Sequence, residues 1–422
     1  MTAAIMSTSS PTDIKTEGRI AECHSAITLL VRASAVFVAL TALYYFWTLS
    51  FKSSLPKDAT TLVVGRDFLQ FWMYGRAAWA PNPGRFYDPQ LYNDALTALL
   101  GPYPGQNWPY APSIMLFTAP FGRLPYLAAL GTWIVLGLAA FIGVGLRLFS
   151  CRRALVAALL SPAALLCLIS GQTSFITAPI LLTIFTTLDR RPGLAGVLIG
   201  VLTIKPQLGL LFPVLLVASG RWRVFMIAAT TSLLIVGLTA ALFGTQVWID
   251  YVSKGLAAQR LVVADPERLF TPFIPTFFVN VRGVGASYGL ATIIQACATI
   301  FALGAIAFAG RYYKDADPQY YAGLFLASSI CAVPYFMSYD TLALTCLTVS
   351  LLANKKLDTR GCVLAKLVFW LPLLQMVLGT WHIPGPALIP AAFAADMLWR
   401  MMHASGLQQY NARSPQENAV SA

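Results

Sequence analysis

Long apolar segments, separated by short polar connections, recur along almost the whole chain. Most run for about 15–25 residues, close to the length that an α-helix needs to cross the hydrocarbon core of a bilayer. They lie near residues 26–50, 111–121, 126–149, 154–170, 174–188, 193–218, 224–244, 288–310, 320–336, 340–353, 361–379 and 384–402. Several are short or interrupted by proline, so the pattern predicts an all-α polytopic membrane protein with about 10–13 transmembrane helices.

Two polar insertions interrupt this pattern, at residues 51–110 and 244–287. The first insertion predicts two amphipathic helices lying at the membrane surface. One starts at Asp67 and has aromatic residues on one face, namely Phe68, Phe71, Trp72 and Trp79. The other starts with Asp88 as N-cap and Pro89 in the first turn. Its apolar stripe comprises Leu91, Tyr92, Ala95, Leu96 and Leu99.

The composition excludes a soluble enzyme. Of the 422 residues, 57% are hydrophobic and 11% charged, and the mean hydropathy is +0.67. Soluble domains carry roughly 25% charged residues. The net charge of +12 is the excess that the positive-inside rule gives to cytoplasmic loops. We therefore expect membrane lipids, and no nucleic acid, as partners.

The basic residues also predict the orientation and the domain limits. Lys15 and Arg19 precede the first apolar segment, so residues 1–25 form a cytoplasmic segment without a cleavable signal peptide. Residues 26–404 form a single transmembrane domain, with residues 51–110 as an external loop. Residues 405–422 are polar and predict a disordered C-terminal tail.

One apolar segment poses a topological problem. The basic clusters at residues 189–191 and 221–223 bracket a single apolar stretch, yet both look cytoplasmic. A broken helix pair that meets at Lys205–Pro206 resolves this, since proline removes a backbone donor there. Irregular backbone at membrane depth is tolerated only next to protein or a water-filled cavity. Lys205 is therefore a candidate site residue.

Metal, disulfide and cofactor chemistry have little support. The seven cysteines include no CxxC pair and lie largely in apolar segments: Cys23, Cys151, Cys167, Cys297, Cys331, Cys346 and Cys362. No acidic pair has metal-ligand spacing, and no P-loop or dinucleotide motif occurs. We predict no metal and no cofactor.

Polar residues in or beside the apolar segments are few. They are candidates for chemistry, because placing a polar side chain there costs free energy. Asp67 is either a catalytic carboxylate or a helix-start residue. Lys205 either pairs with a phosphate or extends its ammonium to the interface. Gln172 and Gln207 either bind a sugar or join helices.

Three further candidates lie towards the C-terminus. Asp340 begins an apolar segment, where it either contacts substrate or forms a salt bridge. Tyr335, like Tyr339, also suits an interfacial anchor. Arg282 contacts either a phosphate of the substrate or a lipid headgroup. Together these residue types suit a substrate with an anionic head and an apolar tail, since a cation neutralises a phosphate leaving group and a carboxylate accepts a proton.

Several motifs in order resemble glycosyltransferase family 87, a group of polytopic bacterial proteins with a GT-C type fold. They are GRDFLQFWMYGRAAW, RFYDP, NWPYAPSIMLFTAPFGRLPY, SGQTSFITAPILL, LDRRPGLAGVLIGVLTIKPQLGLLFPVLL and GRWR. The resemblance covers most of residues 60–250 and continues more weakly through PTFFVNVRG and VPYFMSYDTL.

The resemblance implies an inverting glycosyltransferase. It would take either a mannose-like hexose or a pentose from a polyprenyl-phosphate donor. The acceptor is a lipid or glycan hydroxyl at the periplasmic face of the bacterial inner membrane. The family's essential aspartate matches Asp67, Lys205 lies near the donor phosphate, and Gln172 and Tyr110 lie close by.

One position departs from the family. Many relatives carry Pro-His where this chain has Pro334–Tyr335. Tyrosine has an ordinary pKa of about 10 and is a poor proton acceptor, which leaves Asp67 or Asp340 as the base. Two alternatives stay open: a transporter or flippase of a lipid-linked sugar, which predicts an internal repeat that the sequence lacks, and a non-catalytic envelope scaffold.

Overall fold

The computed structural model describes residues 11–52, 55–265 and 271–420, with the side chains of residues 26–52, 55–265 and 272–404. Regular secondary structure in these residues is helical throughout. Two isolated bridges, Ser50 with Lys57 and Lys57 with Val63, are the extended pairings described. The protein is therefore an all-α polytopic membrane protein, as the sequence predicts.

The helices of the first half are α1 (Pro11–Thr48), α2 (Phe68–Ala77), α3 (Pro89–Leu100), α4 (Ile114–Thr118), α5 (Tyr126–Leu148), α6 (Arg152–Leu159), α7 (Pro162–Ser170), α8 (Ser174–Thr187), α9 (Pro192–Val201) and α10 (Pro206–Gly209). Those of the second half are α11 (Phe212–Ala218), α12 (Trp222–Phe243), α13 (Gln246–Asp250), α14 (Leu256–Ala264), α15 (Phe277–Gly283), α16 (Tyr288–Tyr312), α17 (Pro318–Ala332), α18 (Leu342–Ala353), α19 (Thr359–Thr380) and α20 (Leu388–Val420). Short 3₁₀ turns lie at Arg85–Tyr87, Phe121–Arg123, Leu202–Ile204, Thr271–Phe273 and Ser338–Thr341, and a π-helical turn at Tyr251–Gly255.

The number of full-length spans is lower than the sequence predicts. In the described chain, five helices are long and apolar enough to cross a membrane: Ala26–Thr48 of α1, α5, α12, α16 and α19. The α6–α7 pair, bent by 51°, makes a sixth if it is one span. Other predicted spans form shorter apolar helices, including α8 and the segments on either side of Lys205. Apolar segments that are continuous in the sequence are thus divided into shorter helices where the chain breaks, as at Lys205.

The broken helix pair at Lys205–Pro206 is confirmed. The chain leaves helical geometry at Lys205, with φ −138° and ψ 76°, and a new helix starts at Pro206. The two outer ends of the pair are joined by an ion pair between Arg221 Nε and Asp189 Oδ1 at 2.8 Å. Residues 189 and 221 therefore lie at the same end of the molecule, as the charge pattern requires.

The helices of the first polar insertion pack inside the protein. Phe68, Phe71 and Trp72 of α2 are buried, together with Tyr92 and Leu96 of α3. They form one apolar cluster with the first turns of α5. The aromatic face is therefore covered by protein rather than by lipid, which corrects the prediction of a surface-lying aromatic stripe. That stripe also ends early, since Trp79 follows α2 and is 53% exposed.

The C-terminal helix α20 extends to Val420. Its backbone is helical over residues 405–420, where the sequence predicts a disordered tail. The structure describes no side chains beyond residue 404. The limits of the predicted domain and tail stay predictions.

Candidate functional site

A strained turn presents Asp67 to the interior. Gly65 and Arg66 both have positive φ, +85° and +35°, a conformation that non-glycine residues rarely adopt. Arg66 Nε donates a hydrogen bond at 2.7 Å to Oδ2 of the buried Asp58, which anchors the turn. Asp67 then occupies the N-cap position of α2, but its side chain caps no backbone N–H. The helix-start interpretation therefore does not account for this carboxylate.

Gln172 bridges Asp67 to Lys205. It follows the C-cap of α7, Gly171, whose φ of +61° ends the helix in the left-handed conformation. The Gln172 amide Nε2 donates to Asp67 Oδ2 at 2.9 Å, and its Oε1 accepts from Lys205 Nζ at 3.1 Å. One side-chain amide thus joins the carboxylate to the ammonium.

Lys205 forms a buried ion pair with Asp340. Lys205 Nζ lies 2.8 Å from Asp340 Oδ1, and the two side chains are 1% and 3% exposed. The Ser174 hydroxyl donates to the same carboxylate oxygen at 2.9 Å. Both residues of the pair lie where the α-helix is interrupted: Lys205 at the break before Pro206, and Asp340 in a 3₁₀ turn. The alternative of a salt bridge is thus confirmed for Asp340, and Lys205 does not extend to an interface.

Tyrosines surround the polar cluster that Asp67, Gln172, Lys205 and Asp340 form. The Tyr110 hydroxyl is 3.0 Å from Gln172 Nε2, which donates to it. The Tyr110 backbone carbonyl accepts from the hydroxyls of Tyr74 at 2.9 Å and Tyr87 at 2.8 Å, which fixes its position. Tyr339 lies beside Asp67, and its ring centroid lies 5.0 Å from Lys205 Nζ.

The two ends of the cluster differ in exposure. Asp67, Tyr110 and Tyr335 are half-buried, whereas Lys205 and Asp340 are buried. Burial raises the pKa of Asp67, although hydrogen bonds from Gln172 and Tyr339 and the charge of Lys205 oppose this. Burial and the Asp67 and Asp340 carboxylates raise the pKa of Tyr335 well above its ordinary value. Its phenol therefore stays protonated and is a poor base.

Two predicted residues make no described hydrogen bond to the cluster. Arg282, in α15, donates through Nη1 to the Ala286 carbonyl at 2.7 Å and through Nη2 to the Ala264 carbonyl at 3.3 Å. Gln207 is half-buried in α10, and no hydrogen bond from the described residues reaches its side chain. Their roles in binding stay predictions.

Asp88 is the helix cap that the sequence predicts. Its side chain accepts from the backbone N–H groups of Gln90 and Leu91, with Pro89 in the first turn of α3. It makes no described contact with the polar cluster.

Three residues that contribute to the site were not predicted from the sequence. Tyr339 suited an interfacial anchor, yet it is buried beside Asp67 and Lys205. Ser174 and Asp58 carried no signal beyond being polar. The strained Gly65–Arg66 turn that Asp58 anchors has no periodic pattern by which it could be found.

The residues of the site do not form a metal centre of familiar type. In the described part of the chain, no three His, Cys, Asp or Glu side chains group together. Among the described residues, the thiols of Cys151, Cys167, Cys297, Cys331 and Cys346 are free. The predicted independence of metal stays a prediction.

The cluster combines a partly accessible carboxylate with a buried cation. Asp67 can accept a proton from a hydroxyl that reaches it from the half-buried side. Lys205 supplies positive charge, and the Gln172 amide connects its ammonium group to Asp67. Such an arrangement suits a transfer in which negative charge develops beside a deprotonating hydroxyl.

Comparison with known proteins identifies the family. The model of glycosyltransferase family 87 matches residues 108–338, which include Tyr110, Gln172, Lys205 and Tyr335 and exclude Asp67 and Asp340. No curated protein and no solved structure matches the chain. Since the family match covers more than half of the chain, this membrane protein belongs to glycosyltransferase family 87.

Proposed function

We propose that the protein transfers a sugar, a mannose-like hexose or a pentose, from a polyprenyl-phosphate donor to a lipid or glycan hydroxyl. The reaction takes place at the periplasmic face of the bacterial inner membrane, within a GT-C type fold. The observation that carries this proposal is the cluster in which Gln172 joins the half-buried Asp67 to the buried Lys205–Asp340 pair.

Asp67 is the proposed base. Its hydrogen-bond donor, Gln172, is neutral, and burial raises the pKa of Asp67 towards the range useful for proton transfer. Asp340 is the counter-ion of Lys205 and accepts from Ser174 as well. Because Oδ1 of Asp340 already holds both donors and the side chain is 3% exposed, an acceptor hydroxyl reaches the half-buried Asp67 more readily.

The proposed reaction is a single displacement. The acceptor hydroxyl oxygen attacks the anomeric carbon of the sugar and passes its proton to Asp67. The bond from that carbon to the phosphate oxygen breaks, and its electron pair stays on the phosphate. Inversion follows because the new bond forms on the face opposite the leaving group.

Lys205 is proposed to stabilise the phosphate leaving group. Because its ammonium is 1% exposed and paired, direct contact with the phosphate requires that the pair with Asp340 opens. Arg282 is a second proposed phosphate ligand, and its bonds to the Ala264 and Ala286 carbonyls have to be exchanged for it to serve. Gln172, Tyr110, Tyr335, Asp340 and Gln207 are proposed sugar or acceptor contacts.

The test is transfer of radiolabelled sugar from synthetic polyprenyl-phosphate donors to lipid acceptors by the purified protein. We expect Asp67→Asn to lower the rate by about 10²–10⁴-fold, the usual contribution of a general base. The matched control is Asp94→Asn, an exposed aspartate in α3 of the same polar insertion, which should transfer normally.

Full activity of Asp67→Asn would overturn the assignment of the base. If neither the wild type nor the variants form product from any donor, yet liposomes containing the protein move labelled lipid-linked sugar between leaflets, the protein is a transporter. Bond formation by the wild type alone supports the enzyme.

A further inference from the structure

A basic pocket lies at the other end of the molecule from Asp67. α8 starts beside Gln172 and ends shortly before Asp189. Its 14 residues rise by roughly 20 Å. The residues around Asp189 therefore lie far from the polar cluster and belong to a separate surface.

Three chain segments meet there, residues 189–191, 221–223 and 311–315. Arg221 joins them, because its Nε pairs with Asp189 Oδ1 at 2.8 Å and its Nη2 donates to the Lys314 carbonyl at 3.0 Å. Basic residues outnumber acidic ones in these segments: Arg190, Arg191, Arg221, Arg223, Arg311 and Lys314 against Asp189 and Asp315. The surface is therefore positive even after the ion pair is counted.

An open pocket of about 380 Å³ lies between the ends of α11 and α16. Its lining residues are Val217, Ala218, Ser219, Gly220, Gly310, Arg311 and Lys314. Arg311 and Lys314 are exposed and form no ion pair with the described residues. Beside them, the Nη1 of Arg221 is buried without a hydrogen-bond partner among the described residues. The pocket thus has cationic donors in excess.

The pocket opens at a membrane boundary. The candidate spans α12 and α16 have ends there, at Trp222 and Tyr312. Both aromatic side chains are exposed, as is Val217 on the pocket wall. Exposed Trp and Tyr at helix ends are typical of the headgroup level of a bilayer. A ligand in this pocket therefore has its polar part between the basic groups and its apolar part beside lipid-facing helices.

We infer that this pocket binds the headgroup of an anionic phospholipid, with the phosphodiester held by Arg311 and Lys314. Unpaired cations match the charge of the phosphate, and the volume accommodates a headgroup rather than a single ion. Basic pockets between membrane helices bind anionic headgroups in this way. The inference does not depend on the proposed transfer reaction.

The test titrates phosphatidylglycerol, phosphatidylcholine or free glycerol 3-phosphate onto delipidated full-length protein in detergent, with bound lipid counted by native mass spectrometry. Each basic residue near a membrane surface contributes about 1 kcal/mol. We therefore expect Arg311→Gln with Lys314→Gln to weaken phosphatidylglycerol binding about 30-fold. Arg152→Gln with Arg153→Gln, an exposed pair at the start of α6, is the matched control and should bind normally.

The conservative pair Arg311→Lys with Lys314→Arg should keep the affinity, since it retains both charges. Equal weakening by the Arg152 and Arg153 substitutions, or equal binding of phosphatidylcholine, overturns the inference, because either means general attraction to the surface. Binding of glycerol 3-phosphate as tight as that of phosphatidylglycerol also overturns it, since the site then takes a soluble phosphate rather than a lipid. Unchanged elution on size exclusion confirms that each variant is folded.

Discussion

At the scale of single residues, the distinctive feature is a cation that is almost fully buried. A buried ammonium is stable only when it is paired and its remaining protons are bonded. Lys205 meets this need with Asp340 on one side and Gln172 on the other. The same amide holds Asp67, so the electrostatics of the base and of the ion pair are connected through one side chain.

Removing one partner of the ion pair should destabilise the protein more than removing both. Lys205→Met leaves the Asp340 charge buried and unpaired, and Asp340→Leu does the same to Lys205. Each should cost about 3–5 kcal/mol, whereas the double variant should regain most of this loss. Thermal unfolding in detergent measures the effect. Additive losses in the double variant would contradict the pairing, and recovered stability without recovered transfer would separate folding from activity.

The rate of transfer should fall on the acidic side at a higher pH than an ordinary aspartate gives. Burial raises the pKa of Asp67, so protonation removes the base at a pH above the ordinary midpoint of about 3.9. Gln172→Leu removes a hydrogen bond that lowers this pKa. The acidic limb of its pH–rate profile should therefore move further towards neutral pH.

Gln90→Leu is the control for this experiment, because Gln90 is exposed on α3. Its pH–rate profile should match that of the wild type. A Gln172→Leu profile with the wild-type midpoint and only a lower plateau would mean that the amide acts on something other than the ionisation of Asp67.

At the scale of elements, interruptions of helices position the site. α7 ends at Gly171, the chain leaves helical geometry at Lys205, and a 3₁₀ turn carries Asp340. A continuous helix would direct successive side chains around its axis and satisfy its own backbone. Each interruption instead lets a polar side chain project into the same small volume.

Gly171→Ala should disturb the site without removing any polar side chain. A Cβ at this position would lie 2.6 Å from Phe68 Cβ, and the φ of +61° disfavours any side chain. The left-handed conformation alone costs about 1–2 kcal/mol, and displacement of Gln172 should lower transfer at least about tenfold.

Gly131→Ala in α5 is the matched control. A Cβ there meets nothing within 4 Å, and alanine favours the helix by about 0.5–1 kcal/mol. Transfer assays on both variants test the point. Normal activity of Gly171→Ala would mean that the turn tolerates the shift and does not fix Gln172.

At the scale of the whole molecule, the polar cluster and the basic pocket lie at opposite ends of α8. The outer ends of the broken helix pair, at Asp189 and Arg221, lie together at one end. The break at Lys205 lies at the polar cluster. The positive-inside rule assigns the basic end to the cytoplasm. This orientation predicts that the proposed chemistry and the proposed lipid contact lie on opposite sides of the membrane.

Thiol accessibility should reveal these two sides. In a variant without the native cysteines, Asp94→Cys should react with a membrane-impermeant maleimide from the periplasmic side of intact spheroplasts. Arg190→Cys, which is also an exposed position, should react only after permeabilisation, because it lies at the basic end. Reaction of both positions in intact spheroplasts, or the reverse pattern, would contradict the orientation.

The sequence by itself determined the helical class, the membrane location, the break at Lys205, the cap at Asp88 and the family resemblance. These features depend on local composition, on proline and on motifs, and they need no knowledge of distant neighbours. In the structure, α9 and α12 approach closely at Gly196 and Gly200, because small residues at helical spacing admit a neighbouring helix.

Only the tertiary structure decided which polar groups meet. Asp67 and Gln172 are 105 residues apart, and Lys205 and Asp340 are 135 apart. Apolar periodicity carries no signal for such pairings. The sequence could therefore identify Asp67 and Lys205 as residues that are costly to bury, but it could not show that Tyr339 lies beside them. The aromatic face of α2 was predicted to face lipid for the same reason. An apolar stripe indicates only that this face of the helix is shielded from water, and the tertiary structure decides whether protein or lipid shields it.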